Sequence, residues 1–223
     1  MKIIKTGDGS NTIFLEDIDE TYHSRHGAVQ ESMHVFIKNG FRFQISNYPR
    51  NVIKIFEMGL GTGLNAVLTA LESIKFRQQV EYTSVEPYPL TSKTIALLNY
   101  KNILNNIAAD EYLTKIHEID FDQFESLHSF FKFRKICSTI QDYESKTEKY
   151  NLIYFDAFAP NKQPEIWHKD ILNKVFMFLD EKSVFVTYCA QGQVKRDLKN
   201  VGFTLQSLQG PPGKKEMIRG IKI

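Results

Sequence analysis

The sequence predicts an α/β fold: a mostly parallel sheet covered by helices on both faces and closed by an antiparallel hairpin. Three observations predict it. From Val52 onward, apolar β-compatible runs alternate with helix-compatible stretches, the pattern of right-handed β-α-β crossovers. The first of these runs ends in a glycine-punctuated turn, Gly59-Leu60-Gly61-Thr62-Gly63. The last two runs flank Gly210-Pro211-Pro212-Gly213, which joins them as a hairpin.

Each element follows from local signals. Residues 2–17 read as two short strands around Gly7-Asp8-Gly9. Residues 28–38 are periodic enough for a helix, after a polar, loop-like stretch from Tyr22 to Gly27. Residues 1–49 are therefore expected to form an N-terminal extension packed on a main domain of residues 50–223. In that domain strands are expected at 53–58, 81–86, 131–139, 152–156 and 183–188. Helices are expected at 64–73, 92–99, 121–130, 164–179 and 194–200. Residues 203–208 and 217–223 make the closing hairpin.

Composition bounds the function. The chain has 223 residues, enough for one sizeable core, with 42% hydrophobic and 24% charged residues. No apolar run approaches the roughly 20 residues that span a bilayer, and MKIIKTGDGSNT has no apolar signal core. Cys137 and Cys189 lie far apart without metal-ligand spacing, so a reduced, cytoplasmic setting is expected. The net charge of +2 does not itself identify a nucleic-acid binder. Its distribution is more informative. Residues 190–223 carry seven Lys/Arg against two acids (+5), leaving 21 against 24 (−3) elsewhere. A basic end on an acidic body fits a polyanionic substrate touching one edge.

The chemistry concentrates at three strand ends. Gly59, Gly61 and Gly63 let the backbone turn sharply and approach a ligand. The next strand ends in Glu86, about 20 residues on, where an acid can accept ribose hydroxyls. Gly61-x-Gly63-x-x-Ala66 also satisfies the permissive dinucleotide pattern, which leaves NAD open on that signal alone. Glu57 and Gly59 extend it to E-x-G-x-G-x-G and tip the reading to S-adenosylmethionine. Asn65 falls in the first turn of the following helix, whose amides would meet the methionyl carboxylate. A further strand, 152–156, delivers Asp156, followed by Ala157-Phe158-Ala159-Pro160. An acid, an aromatic and a proline in this order resemble the D/N-P-P-Y/F turn of amino-group methyltransferases, which implies an amine held by the carboxylate and adjacent backbone carbonyls beneath an aromatic face. Asp156, Ala157 and Phe158 are the catalytic candidates, and Asp156 also borders the cofactor.

The order and spacing of FEMGLGTGLN, YFDAFAPNKQPEIW and GPPGKKEMIRG resemble the methyltransferase module of the tRNA 5-methylaminomethyl-2-thiouridine biosynthesis family (MnmC/MnmD). The likeness extends to TYHSRHGAVQESMHVFI and so covers most of the chain. It implies a class I S-adenosylmethionine-dependent methyltransferase fold, Rossmann-like, with Asp156 at the active site. It implies methylation of the exocyclic amine of 5-aminomethyl(-2-thio)uridine at the tRNA wobble position. The flavin-dependent oxidoreductase half of the bifunctional members has no counterpart in these 223 residues, so a stand-alone enzyme without FAD is expected. The usual Gly-Asp after the third core strand, which would meet the adenine amine, is missing. Asp120 and Asp142 are both candidates to replace it.

Given a tRNA partner, Lys195, Arg196, Lys214, Lys215 and Arg219 are candidate phosphate contacts, and Phe158 and Trp167 candidate stacking faces. Tyr22 and Glu31 are expected to border the cofactor. His23, His26 and His34 lack metal spacing, so no metal is expected. Two rival readings are an aminopropyltransferase of the spermidine synthase type and a non-catalytic RNA-binding module with a relic pocket.

Overall fold

The computed structural model describes residues 1–145 and 148–223. At its centre lies an eight-stranded sheet. The strands are β4 (Val52–Met58), β5 (Gln79–Val85), β6 (Glu125–His128), β7 (Phe131–Ile136), β8 (Tyr150–Phe155), β9 (Leu179–Thr187), β10 (Thr204–Gln209) and β11 (Glu216–Lys222). Their spatial order is β10-β11-β9-β8-β4-β5-β7-β6. The five central strands, β9 to β7, are parallel, and β11 inserts antiparallel between β9 and β10. Strand order reverses between β4 and β8, so the carboxyl ends of these two neighbours open the crevice where such sheets bind ligands.

β8 is buried along its whole length, as expected for a strand covered on both faces. One face carries α3 (Leu64–Phe76) and α6 (Ile107–Glu118), and the other carries α7 (Lys169–Phe178) and α8 (Gly192–Asn200). Two short helical turns, α4 (Ser92–Ile95) and α5 (Tyr100–Leu104), replace the single helix expected at 92–99. The helix expected at 164–179 is interrupted at His168, whose extended backbone separates a 3-10 turn, Pro164–Trp167, from α7.

The N-terminal residues form a small antiparallel sheet of β1 (Lys2–Lys5), β2 (Asn11–Leu15) and β3 (Glu20–Thr21). A continuous helical run follows: α1 (Ala28–Ser32), a wider π-type stretch (Met33–Arg42) and α2 (Phe43–Asn47). It buries Val35, Phe36, Ile37 and Phe41 in the same core as α3 and β8. Gly40 allows this close approach. A Cβ there would lie 3.0 Å from Val186 Cγ2 and 3.2 Å from Tyr154 Cε1, tighter than ordinary contact.

One expectation fails outright. Residues 121–130 are not helical: β6 pairs antiparallel with β7 across an irregular register at Ser126 and His128. The helix of this region lies earlier, at α6. Asn106 caps it through a side-chain bond to Ala108 N–H (3.0 Å), and Ala109, Tyr112, Leu113 and Ile116 form its buried stripe.

Candidate active site

β4 and β8 lie side by side in register, Met58 opposite Phe155, so the glycine turn after β4 meets Asp156 after β8. The turn is tied down on both sides. Gly59 N–H donates to Val85 O (3.0 Å), and Gly61 N–H donates to the Glu86 carboxylate (3.0 Å). Gly59, Gly61 and Gly63 all have positive φ (87°, 51° and 80°), a backbone that favours glycine. At Gly59 a Cβ would also lie 3.0 Å from Asp156 O, so the two strand ends touch through backbone.

Around this junction is a cavity of about 950 Å3. Its lining includes Gly59, Gly61, Asn65, Glu86, Asp156, Ala157 and Phe158. The N-terminal segment supplies another wall through Leu15, Ile18, Tyr22 and Glu31. Lys162 ties that wall to the Asp156 loop by donating to Ile18 O and Asp19 O (2.8 and 3.1 Å). Tyr22 meets Phe158 edge to face at 5.5 Å.

Asn65, in the first turn of α3, donates from Nδ2 to Asp156 Oδ2 (2.9 Å). Among the described residues its Oδ1 is buried and has no hydrogen-bond partner. Burial pushes the Asp156 carboxyl up to about 7, and nearby Glu31 adds to the rise. The Asn65 bond and Lys214 oppose it. Behind them sits Glu57, fully buried, accepting Ser84 Oγ–H at 2.8 Å while its Oε1 has no partner among the described residues. Burial, reinforced by the Asp156 charge, raises Glu57 to about 8, against the Ser84 bond. Glu57 does not line the cavity.

Glu86 has one carboxylate oxygen on Gly61 N–H and the other on Tyr88 N–H (2.8 Å). Ionised carboxylate oxygens accept more than one bond each, so capacity remains for ligand hydroxyls facing the cavity. The residues present fit a ligand that lies against the glycine turn and offers hydroxyls to Glu86, as a nucleoside does.

Several expected roles change. Trp167 is 5% exposed, donates Nε1–H to Phe158 O (2.7 Å) and packs on Phe155. It braces the Asp156 loop and offers no stacking face. The Ala157 carbonyl accepts Tyr188 OH (2.8 Å) and the Phe158 carbonyl accepts Trp167. Both bonds hold the loop in shape, and each carbonyl keeps a second lone pair with which it could still accept an amine.

Arg219 is buried, stacked 3.4 Å from the centre of the Phe43 ring and bonded to Gln206 and Asn39 O. That position removes it from phosphate contact. Lys195 pairs with Glu216 at 2.5 Å. Lys214 points into the cavity and pairs with Glu31. Arg196 and Lys215 remain exposed.

Asp120 does not line the cavity. Asp142 lies outside it too, accepting Thr139 Oγ1–H at 2.7 Å. Thr139, Ile140 and Gln141 line that end instead. His23 is buried against Thr12, His34 meets Gln209 O, and His26 is exposed. Among the described residues no three His, Cys, Asp or Glu side chains are grouped to hold a metal. No helix there is long and apolar enough to cross a membrane. Sequence reasoning missed Tyr188, a plain strand-end aromatic that gains meaning only beside Lys214.

Comparison with known proteins agrees with this geometry. A family model described as S-adenosyl-L-methionine-dependent methyltransferase matches residues 99–223. The bifunctional tRNA 5-methylaminomethyl-2-thiouridine biosynthesis protein MnmC of Marinomonas sp. (strain MWYL1) is 30% identical over 216 residues, or 91% of this chain and 31% of that protein. Its namesake from Leptospira interrogans is 27% identical over 92% of this chain and 33% of that one. The chain thus spans about a third of the length of these curated relatives. The crystal structure of MNMC2 from Aquifex aeolicus superposes with a TM-score of 0.78 at 25% identity, covering 99% of this chain and 69% of that one. The CurJ carbon methyltransferase shares the fold at a TM-score of 0.51 and 14% identity, over 89% of this chain and 56% of that one. The chain belongs to the S-adenosyl-L-methionine-dependent methyltransferase family and is similar over most of its length to the MnmC proteins.

Proposed function

We propose that this protein methylates the exocyclic amine of 5-aminomethyl(-2-thio)uridine at the tRNA wobble position. The observation that carries the proposal is Asp156, held by Asn65 at the tip of β8 and touching the glycine turn of β4. Residues 1–49 serve as an extension that completes the cleft of the 50–223 domain. The glycine turn, Asn65 and Glu86 would hold S-adenosylmethionine, with Glu57 supporting from behind. When bound, that group supplies an electrophilic methyl: the C–N bond forms as the C–S bond breaks, and the electron pair stays on sulfur. We assign no role to FAD or a metal.

The chain's own task is the proton. An alkylamine has a reference pKa near 10.4 and is mostly protonated at neutral pH. Asp156 is placed to accept that proton. Transfer to an ordinary aspartate (about 3.9) would be uphill by about 9 kcal/mol, at about 1.4 kcal/mol per unit. With Asp156 raised to about 7 the gap falls to about 5 kcal/mol. Burial of the carboxyl thus makes it a better base while leaving much of it ionised.

The cavity lining carries Glu20, Glu31, Glu86, Asp156 and Glu165 against Arg25, Lys162 and Lys214. That acidity suits any cationic amine, so it also fits the aminopropyltransferase reading. The MnmC likeness over nine-tenths of the chain favours the tRNA substrate. Mass spectrometry of wobble nucleosides tests this directly. Cells lacking the protein should accumulate the unmethylated aminomethyl nucleoside; an unchanged nucleoside profile rejects the assignment.

Of the five basic candidates, the exposed Arg196 and Lys215 are retained for tRNA phosphates. Replacing both with alanine is expected to weaken tRNA binding and to lower the slope of log affinity against log salt by about 2. A slope equal to wild type would remove them from the interface.

A further inference from the structure

Lys214 sits where an amine substrate would be expected. It follows the Gly210-Pro211-Pro212-Gly213 turn between β10 and β11, and its N–H donates to Pro211 O (2.9 Å). Its ammonium lies 3.7 Å from the centre of the Tyr188 ring and pairs with Glu31, a residue 183 positions away and 5% exposed. Lys214, Glu31, Tyr188, Asn65 and Asp156 line one cavity. A carboxylate beside an aromatic face is the recognition chemistry of an alkylammonium.

We infer that Glu31, Tyr188 and Asp156 form an alkylammonium subsite that the chain's own Lys214 fills until substrate displaces it. The inference rests on the proposed amine methylation. One ammonium replaces another, so Glu31 never loses its counter-charge. That matters because breaking a buried pair leaves an uncompensated charge. Lys214 is partly exposed on a turn and can swing outward by its own torsions.

The consequence is selectivity. An intramolecular ammonium competes at an effective concentration on the order of millimolar, so small free amines are held out. An aminomethyl group anchored by the rest of a tRNA brings further contacts and wins the exchange.

Calorimetry on the protein without methyl donor tests this, with 5-aminomethyluridine as probe and uncharged 5-methyluridine as control. Lys214→Gln, which can still donate to Glu31, is expected to bind the aminomethyl nucleoside roughly tenfold tighter than wild type. Binding of 5-methyluridine should not change. Lys214→Arg, which keeps the charge, should bind as weakly as wild type, and adding Glu31→Gln to Lys214→Gln should erase the gain. Thermal melting of each variant verifies folding. An aminomethyl affinity for Lys214→Gln no better than wild type, or an equal gain for both nucleosides, overturns the inference. Should wild type fail to methylate tRNA while Lys214→Gln gains the charged nucleoside, the subsite stands and the tRNA assignment falls.

Discussion

Asp156→Ala is expected to lower methyl transfer by about a thousandfold while the protein stays folded, the mid-range for loss of a positioned base. The wild-type rate should rise as pH rises through about 7, where Asp156 ionises. In Asp156→Asn, which keeps a polar partner for Asn65, that limb should vanish along with the activity. The fold should tolerate both changes. Asp156 is raised relative to an unfolded chain, so its ionised form contributes no stability at neutral pH. Near-normal turnover by either variant would end the assignment of Asp156 as proton acceptor.

Glu57→Gln is expected to stabilise the protein at alkaline pH. Glu57 is fully buried and raised from an unfolded value near 4.3 to about 8. Between those values the folded state holds a proton that the unfolded state has lost. Stability therefore falls as pH rises through this window and levels off above 8. The shift of almost four units corresponds to about 5 kcal/mol. Asp156 adds a second, shorter window ending near 7. Buried His23, lowered to about 4, contributes a slope of the opposite sign up to about pH 6.5, so the readout is the difference. In urea unfolding from pH 5 to 9, the slope of stability loss below pH 8 should be about one proton smaller in the variant than in wild type. An unchanged pH slope would show that Glu57 is ionised in the folded state.

The parts of the site legible in the sequence are those written locally. Gly59, Gly61 and Gly63 announce themselves because their positive φ needs glycine. Glu86 and Asp156 do so because each directly ends an apolar strand. Residues 121–130 misled for a physical reason. Phe121, Phe124 and Leu127 recur every three residues, which mimics a helical stripe. Pairing with β7 prevails, and Phe124 lies against the Arg134 guanidinium, 4.3 Å from the ring centre. Helix α6 was readable from its Asn106 cap and its 109-112-113-116 stripe.

Charge was the least legible property. Arg219 and Lys215 look alike in sequence, yet one is stacked on Phe43 and the other faces water. The Glu31–Lys214 pair joins residues from opposite ends of the chain, and no local spacing encodes it. Trp167 shows the converse: its motif marked the loop correctly, while its function there is to brace.

The insertion of β11 between β9 and β10 bears on how the protein is made. While a ribosome is still releasing residues 216–222, β9 presents an open edge and β10 has no neighbour in the sheet. Such an edge invites pairing with other chains. The growing polypeptide is accordingly most vulnerable to aggregation just before this strand emerges, and the same seven residues that close the sheet also bring Lys214 to the cleft.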